Sequence, residues 1–209
     1  DGDLDGAMSA YGKSLSLEHS ESVSDRRDGL RERMARARLP EEYRAIDQSP
    51  QITRAQLAAL IGIRLEPWVQ DMPVGQPGVL TDVRGSWAES WIMSVARAGV
   101  MEAFANHTFQ PAAIVRRADL APIADRLLQR LAQGEQVKRW RSMRTAFSDL
   151  LPGHLAYPSA AAAVASGVMT TTTDGGFEPS APVTGADAVS TIDRIQRLAV
   201  QPELASTAR

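Results

Sequence analysis

Apolar residues recur at three- and four-residue steps along most of this chain, the spacing of helices that bury one face. Leu4, Ala7, Met8, Tyr11 and Leu15 outline a first helix over 3–17. The polar stretch Glu18-His19-Ser20-Glu21-Ser22 interrupts it, and an arginine-dense helical segment follows over roughly 22–38. There Asp28–Arg31 and Glu32–Arg36 stand at the spacing where opposite charges support a helix by about 0.2–0.5 kcal/mol each. Pro40 ends that segment, and the two helices read as an antiparallel hairpin. Further on, Thr53 with Gln56 three residues later precedes Leu57, Leu60, Ile61 and Leu65. This is a capping box, and it predicts a helix starting near Ala55. Gly62 lies within that pattern and weakens its far end.

The pattern then repeats with a period of 68 residues. Gly85 matches Gly153, Ala88 matches Ala156, and Gly99-Val100-Met101 matches Gly167-Val168-Met169. Phe109-x-Pro111 matches Phe177-x-Pro179, Val115 matches Val183, and Ala118-Asp119 matches Ala186-Asp187, without a gap. Asp82 pairs with Asp149 after a one-residue slip. A third copy of the ending stands earlier, at Ile52-Thr53-Arg54-Ala55-Gln56. Each unit predicts a helix whose face carries Ala88, Trp91, Ile92 and Val95, or Ala160, Ala161, Val164 and Ala165. A glycine stop follows at Gly99 or Gly167, then a Phe plug, then a second helix. The second helices carry Leu120, Ile123, Leu127, Leu128 and Leu131 in one unit, and Val189, Ile192, Ile195, Leu198 and Ala199 in the other. Neither helix buries its face alone, so the units must pack on each other.

Two resemblances follow from these residues. Gly2-Asp3-Leu4-Asp5-Gly6-Ala7-Met8-Ser9-Ala10-Tyr11 with Leu15, Leu17 and Glu18 resembles the second helix of a tetratricopeptide repeat, cut between its two helices. The opening Asp1-Gly2-Asp3-Leu4 reads accordingly as interior to a longer protein. Leu80-Thr81-Asp82-Val83-Arg84-Gly85-Ser86-Trp87-Ala88, Thr108-Phe109-Gln110-Pro111 and Arg117-Ala118-Asp119-Leu120 resemble the S-layer homology domain. So do Phe147-Ser148-Asp149-Leu150, Gly153-His154-Leu155-Ala156, Gly176-Phe177-Glu178-Pro179 and Val183-Thr184-Gly185-Ala186-Asp187. The fold expected is all-α: a tetratricopeptide-like hairpin and connector over 1–49, then an S-layer homology-like module over 50–209. The module comprises a partial unit 50–66 and units 79–133 and 146–200, and the family implies that they pack as a pseudo-threefold bundle.

The second resemblance implies noncovalent attachment to a bacterial cell-wall glycan, pyruvylated in many members, held in grooves between units. Its motif residues carry over to Arg54, Arg117 and Trp87, with Asp82, Asp149 and His154 as weaker glycan ligands. The chemistry is apt: a guanidinium offers a planar fork to a carboxylate, and an aromatic ring gives a sugar an apolar face. Gly185 replaces the third arginine and Leu155 the second tryptophan, so at most two grooves are equipped.

Composition narrows the alternatives. The formal net charge is −2, from 23 Lys+Arg against 25 Asp+Glu, which gives no reason to expect nucleic acid as partner. There are no cysteines, hence no disulfide, thiolate metal site or cysteine nucleophile. No apolar run reaches the length of a membrane span. His19, His107 and His154 stand in no zinc spacing, and no nucleophile elbow, phosphate loop or dinucleotide fingerprint is present. The expectation is a non-catalytic scaffold of the extracytoplasmic envelope, without cofactor or metal. It would bind an envelope polysaccharide through one part and a protein partner through the other. The alternatives are an adaptor that binds only protein, or an accessory region of a larger envelope hydrolase. The run Lys138-Arg139-Trp140-Arg141-Ser142-Met143-Arg144 reads as a solvated linker between units, with contact to an anionic polymer or membrane surface as the other reading.

Overall fold

A computed structural model describes residues 38–73 and 79–207. The predicted hairpin lies almost wholly outside the described residues. The chain divides into two bodies, Asp1–Arg44 and Ala45–Arg209. Of the first, the described part is a short helix, α1 (Glu41–Arg44), opened by the Pro40 carbonyl, which accepts the N–H groups of Tyr43 and Arg44.

The second body is helical, with no strand among the described residues. A 3₁₀ turn, Ile46–Gln48, precedes α2 (Arg54–Arg64) and α3 (Glu66–Asp71). Then come α4 (Glu89–Arg97), α5 (Arg117–Leu131), α6 (Gly134–Ser142), α7 (Tyr157–Ala165) and α8 (Gly185–Thr207). The α2 cap is as the sequence predicts: the Gln56 N–H donates to Thr53 Oγ1 at 3.3 Å, and the Thr53 N–H to Gln56 Oε1 at 2.9 Å. The other two closing helices keep part of the device: Asp119 accepts the Arg116 N–H, and Thr184 Oγ1 accepts the Asp187 N–H while its hydroxyl donates to Asp187 Oδ2. The α4 and α7 helices stop at Gly99 (φ +61°) and Gly167 (φ +76°), in the left-handed region that glycine enters without a Cβ penalty.

Within each unit the plug is fixed by the acid that begins the motif. Asp82 accepts the N–H groups of Phe109 and Gln110, each at 2.7 Å, and Asp149 accepts those of Phe177 and Glu178 at the same distance. These are charge-assisted bonds, and they seat two phenyl rings with no exposed surface at all.

Between units, three short extended segments close a cycle. The Ile52 N–H donates to the Val183 carbonyl, the Val183 N–H to Val115, and the Val115 N–H back to Ile52, all at 2.9 Å. All three residues are buried, and a buried amide left without its partner costs about 1–3 kcal/mol. Outside this cycle, each closing helix begins with an N–H bonded to the neighbouring segment: Arg54 to Ala113, Arg117 to Ala181, and Gly185 to Ser49.

Two expectations are corrected. The basic run at 138–144 is helical through Ser142, because Val137 gives α6 one buried anchor and α6 packs on α7. The buried face of α7 is Ala160–Ala163, with Val164 and Ala165 only partly covered. This helix is alanine on every side, so its sequence has no stripe to set its rotation. Gly62 has a positive role: a Cβ there would lie 2.8 Å from the Trp91 ring, so glycine lets α4 approach α2 closely.

The absent third arginine has a similar cause. A Cβ at Gly185 would lie 1.5 Å from the Ile46 carbonyl oxygen, which belongs to the 3₁₀ turn. Gly185→Ala should therefore destabilise the protein by about 1–3 kcal/mol. Gly134→Ala, with no atom within 4 Å of the new Cβ, should be neutral or stabilise by up to about 1 kcal/mol. Urea unfolding of the two variants checks this; equal midpoints would contradict the close approach.

Candidate functional site

Arg54 opens α2, and its side chain crosses to the next unit. Nε donates to the Phe109 carbonyl at 2.7 Å and Nη2 to the Glu102 carbonyl at 2.8 Å. The guanidinium lies over the rings of Phe109 and Phe104, 4.5 and 4.8 Å from their centroids. Burial lowers its pKa from the ordinary arginine value, opposed by the charges of Asp119 and Asp82.

Arg117 repeats the arrangement one unit later. Its Nε donates to the Phe177 carbonyl at 2.6 Å and Nη2 to the Thr170 carbonyl at 2.5 Å, with the Phe177 ring 4.9 Å away. In both arginines Nη1 has no hydrogen-bond partner among the described residues. These side chains are inter-unit staples first, and a ligand would meet one remaining edge of the fork.

The other candidates divide. Asp82 and Asp149 are engaged with the plug amides, as above. Trp87 packs edge-on against Trp91, centroids 6.0 Å apart, away from both clefts described below. His154 Nδ1 accepts the Ala156 N–H at 3.1 Å, which fixes its own turn, and its ring stands on the same cleft as Arg54.

That cleft has a volume of about 590 Å³. One wall is Arg54 with the loop Met101–Phe104. The floor is the stretch of α5 from Ala118 to Arg126, including Asp119, Pro122 and Ile123, and the far wall is His154, Leu155, Ala156 and Ser159. A second cleft, lined by Arg117, is its counterpart in the repeat. Met169, Thr170, Asp187, Ser190, Thr191 and Arg194 stand 68 residues after Met101, Glu102, Asp119, Pro122, Ile123 and Arg126. This one holds only about 40 Å³ and has no far wall among its lining residues.

The two clefts also differ in chemistry. The large one is apolar where the small one is hydroxylic: Pro122 against Ser190, and Ile123 against Thr191. Pro122 has no N–H for the Ala118 carbonyl one turn back, so that acceptor lacks its helical donor where it borders the cleft. Arg126 donates to the Val100 carbonyl at 3.2 Å and pairs with Glu102 at 2.8 Å, while Arg194 in the other cleft donates to the Gly167 carbonyl. With Arg54 and Arg126 facing Glu102 and Asp119, the large cleft carries cations and acids in balance.

The sequence reading missed Phe104, Pro122, Arg126, Leu155 and Ser159. Arg126 had a signal, since Arg194 repeats it at the period of 68. Leu155 had none beyond the departure already noted; it is 95% exposed on the cleft rim. No group of three or more His, Asp or Glu side chains among the described residues is placed to hold a metal ion.

Arg54→Lys keeps the charge and loses the fork and most of the ring stacking. It should destabilise the protein by about 2 kcal/mol, and Arg117→Lys by a similar amount. Denaturant midpoints measure this, and unchanged midpoints in both variants would exclude the staple role.

No curated protein matches the chain. No helix among the described residues is long and apolar enough to cross a membrane. Residues 80–121 and 146–189 each match the family model of the S-layer homology domain. These two matches cover the plugs, the staples' acceptors and the starts of both later closing helices; in these stretches the chain is similar to the S-layer homology domain, whose presence indicates a cell-envelope anchoring module.

Proposed function

We propose that this protein is a non-catalytic attachment element of the extracytoplasmic bacterial envelope, and that its module holds an envelope glycan in the Arg54 cleft. The observation that carries the reading is the pairing of that cleft with its counterpart. Two clefts share one ancestry in the repeat, but one has both walls and a volume of about 590 Å³, enough for a saccharide unit or two. Its contents suit a sugar. Phe104 and Leu155 offer apolar contact, while the Ala118 carbonyl, Ser159 and His154 offer hydroxyl partners. The free Nη1 of Arg54 suits a carboxylate substituent such as a pyruvyl acetal.

In this reading the hydrogen-bond cycle at Ile52, Val115 and Val183 is the axis of a pseudo-threefold packing. The 3₁₀ turn stands in for the missing opening part of the first unit. The tetratricopeptide-like segment would bind a protein partner. A second reading, an adaptor that binds protein alone, draws support from Leu155, because a nearly fully exposed leucine on the same cleft as Phe104 suits a peptide side chain as well as a sugar ring.

Sedimentation with purified sacculi tests the first reading. Wild-type protein should pellet with sacculi. Leu155→Asp, which alters an exposed residue and leaves the core intact, should lower binding at least about tenfold. Ser190→Ala, in the small cleft, should leave binding unchanged. Sacculi that fail to pellet the wild-type chain would sink the glycan reading and leave the adaptor.

A further inference from the structure

Residues 134–144 hold four cations, Lys138, Arg139, Arg141 and Arg144, against one carboxylate, Glu135, in a chain whose net charge is −2. The repeat gives this segment a control. In the order of elements α6 follows α5 and packs on α7 as α3 follows α2 and packs on α4, and each has one buried residue, Val137 or Val69, so the two helices occupy comparable places. In α3 that place is acidic: it carries Glu66 and Asp71 and no cation at all. Its position in the repeat therefore does not require α6 to be basic.

The four cations have different surroundings. Arg141 Nε lies 4.0 Å from Asp125 Oδ1, a buried oxygen without a hydrogen bond, so this exposed side chain already has an acidic neighbour. Lys138 pairs with Glu135 at 2.8 Å in an exposed contact that water weakens. Arg139 and Arg144 are exposed and have no acidic partner among the described residues. Between them Trp140 is partly exposed, and Met143 is 47% exposed.

We propose that α6 and the turn after it form a second binding surface, whose ligand is an anionic polymer bearing phosphate or carboxylate groups. Two unpaired guanidiniums provide bidentate donors to such groups. Trp140 adds a flat face that tolerates irregular chain units. A lipid surface fits less well, because Trp140 and Met143 are the only large apolar groups of the segment that reach solvent, too few for the apolar face of an interfacial helix. Attraction of this kind is screened within about 10 Å at 0.1 M salt, so binding falls steeply as salt rises. The surface is independent of the cleft, since neither Arg139 nor Arg144 lines it.

The test uses the full chain with three probes: long-chain inorganic polyphosphate, poly-glutamate, and phosphatidylglycerol vesicles. Wild-type protein should bind at least one polymer at low salt. The double variant R139Q/R144Q should bind it roughly tenfold or more weakly, with a shallower salt dependence and an unchanged melting temperature. Asp71→Asn on the comparable helix α3 should bind as wild type does. Preference between the two polymers identifies phosphate or carboxylate as the recognised group. The proposal is overturned if the double variant binds as tightly as wild type, if wild type binds neither polymer, or if vesicles are bound more tightly than both.

Discussion

Three backbone hydrogen bonds, from Ile52 to Val183, Val183 to Val115 and Val115 to Ile52, hold the rest of the arrangement in place. Each partner comes from a different part of the chain, and each is buried. Such a cycle has no free end: removing one segment orphans a donor in one neighbour and an acceptor in the other. It fixes where the closing helices begin, because each starts within three residues of its member of the cycle. That in turn places Arg54 and Arg117 where their guanidiniums reach the next unit's carbonyls.

The cycle is closed, while the side chains around it are unequal. Two junctions are stapled by arginine and the third by direct backbone approach at Gly185, where the Ile46 carbonyl occupies the space a side chain would need. The inequality extends to the clefts. A far wall at His154–Ala156 makes one of them roomy, and proline and isoleucine in place of serine and threonine make it apolar. Divergence between copies of a repeat is informative because the shared frame is held constant; what differs is freed from the demands of folding. The same logic separates basic α6 from acidic α3.

Much of the fold is legible in the sequence. The capping box at Thr53 and Gln56, the glycine stops at Gly99 and Gly167 and the plugs at Phe109 and Phe177 each follow from a local rule that tertiary structure does not override. Local rules fail where the pattern is uniform, as in the all-alanine face of α7. They fail also where charge density suggests solvent, as in α6, whose one buried residue, Val137, is enough to dock it. The site is less legible. A motif arginine identifies a position without saying whether its donors face a ligand or a carbonyl, and here four of them face carbonyls. Leu155 and Ser159 join Arg54 across about a hundred residues of chain, a juxtaposition that no spacing encodes.

Hydrogen exchange at the three cycle amides, Ile52, Val115 and Val183, tests the central claim that these units are closed into one body. All three should exchange only through global unfolding, with the same opening free energy and the same denaturant dependence. Protection of one amide at a markedly lower free energy than the other two, or exchange of Val183 while Ile52 and Val115 stay protected, would contradict the closed cycle and return the units to separate packing.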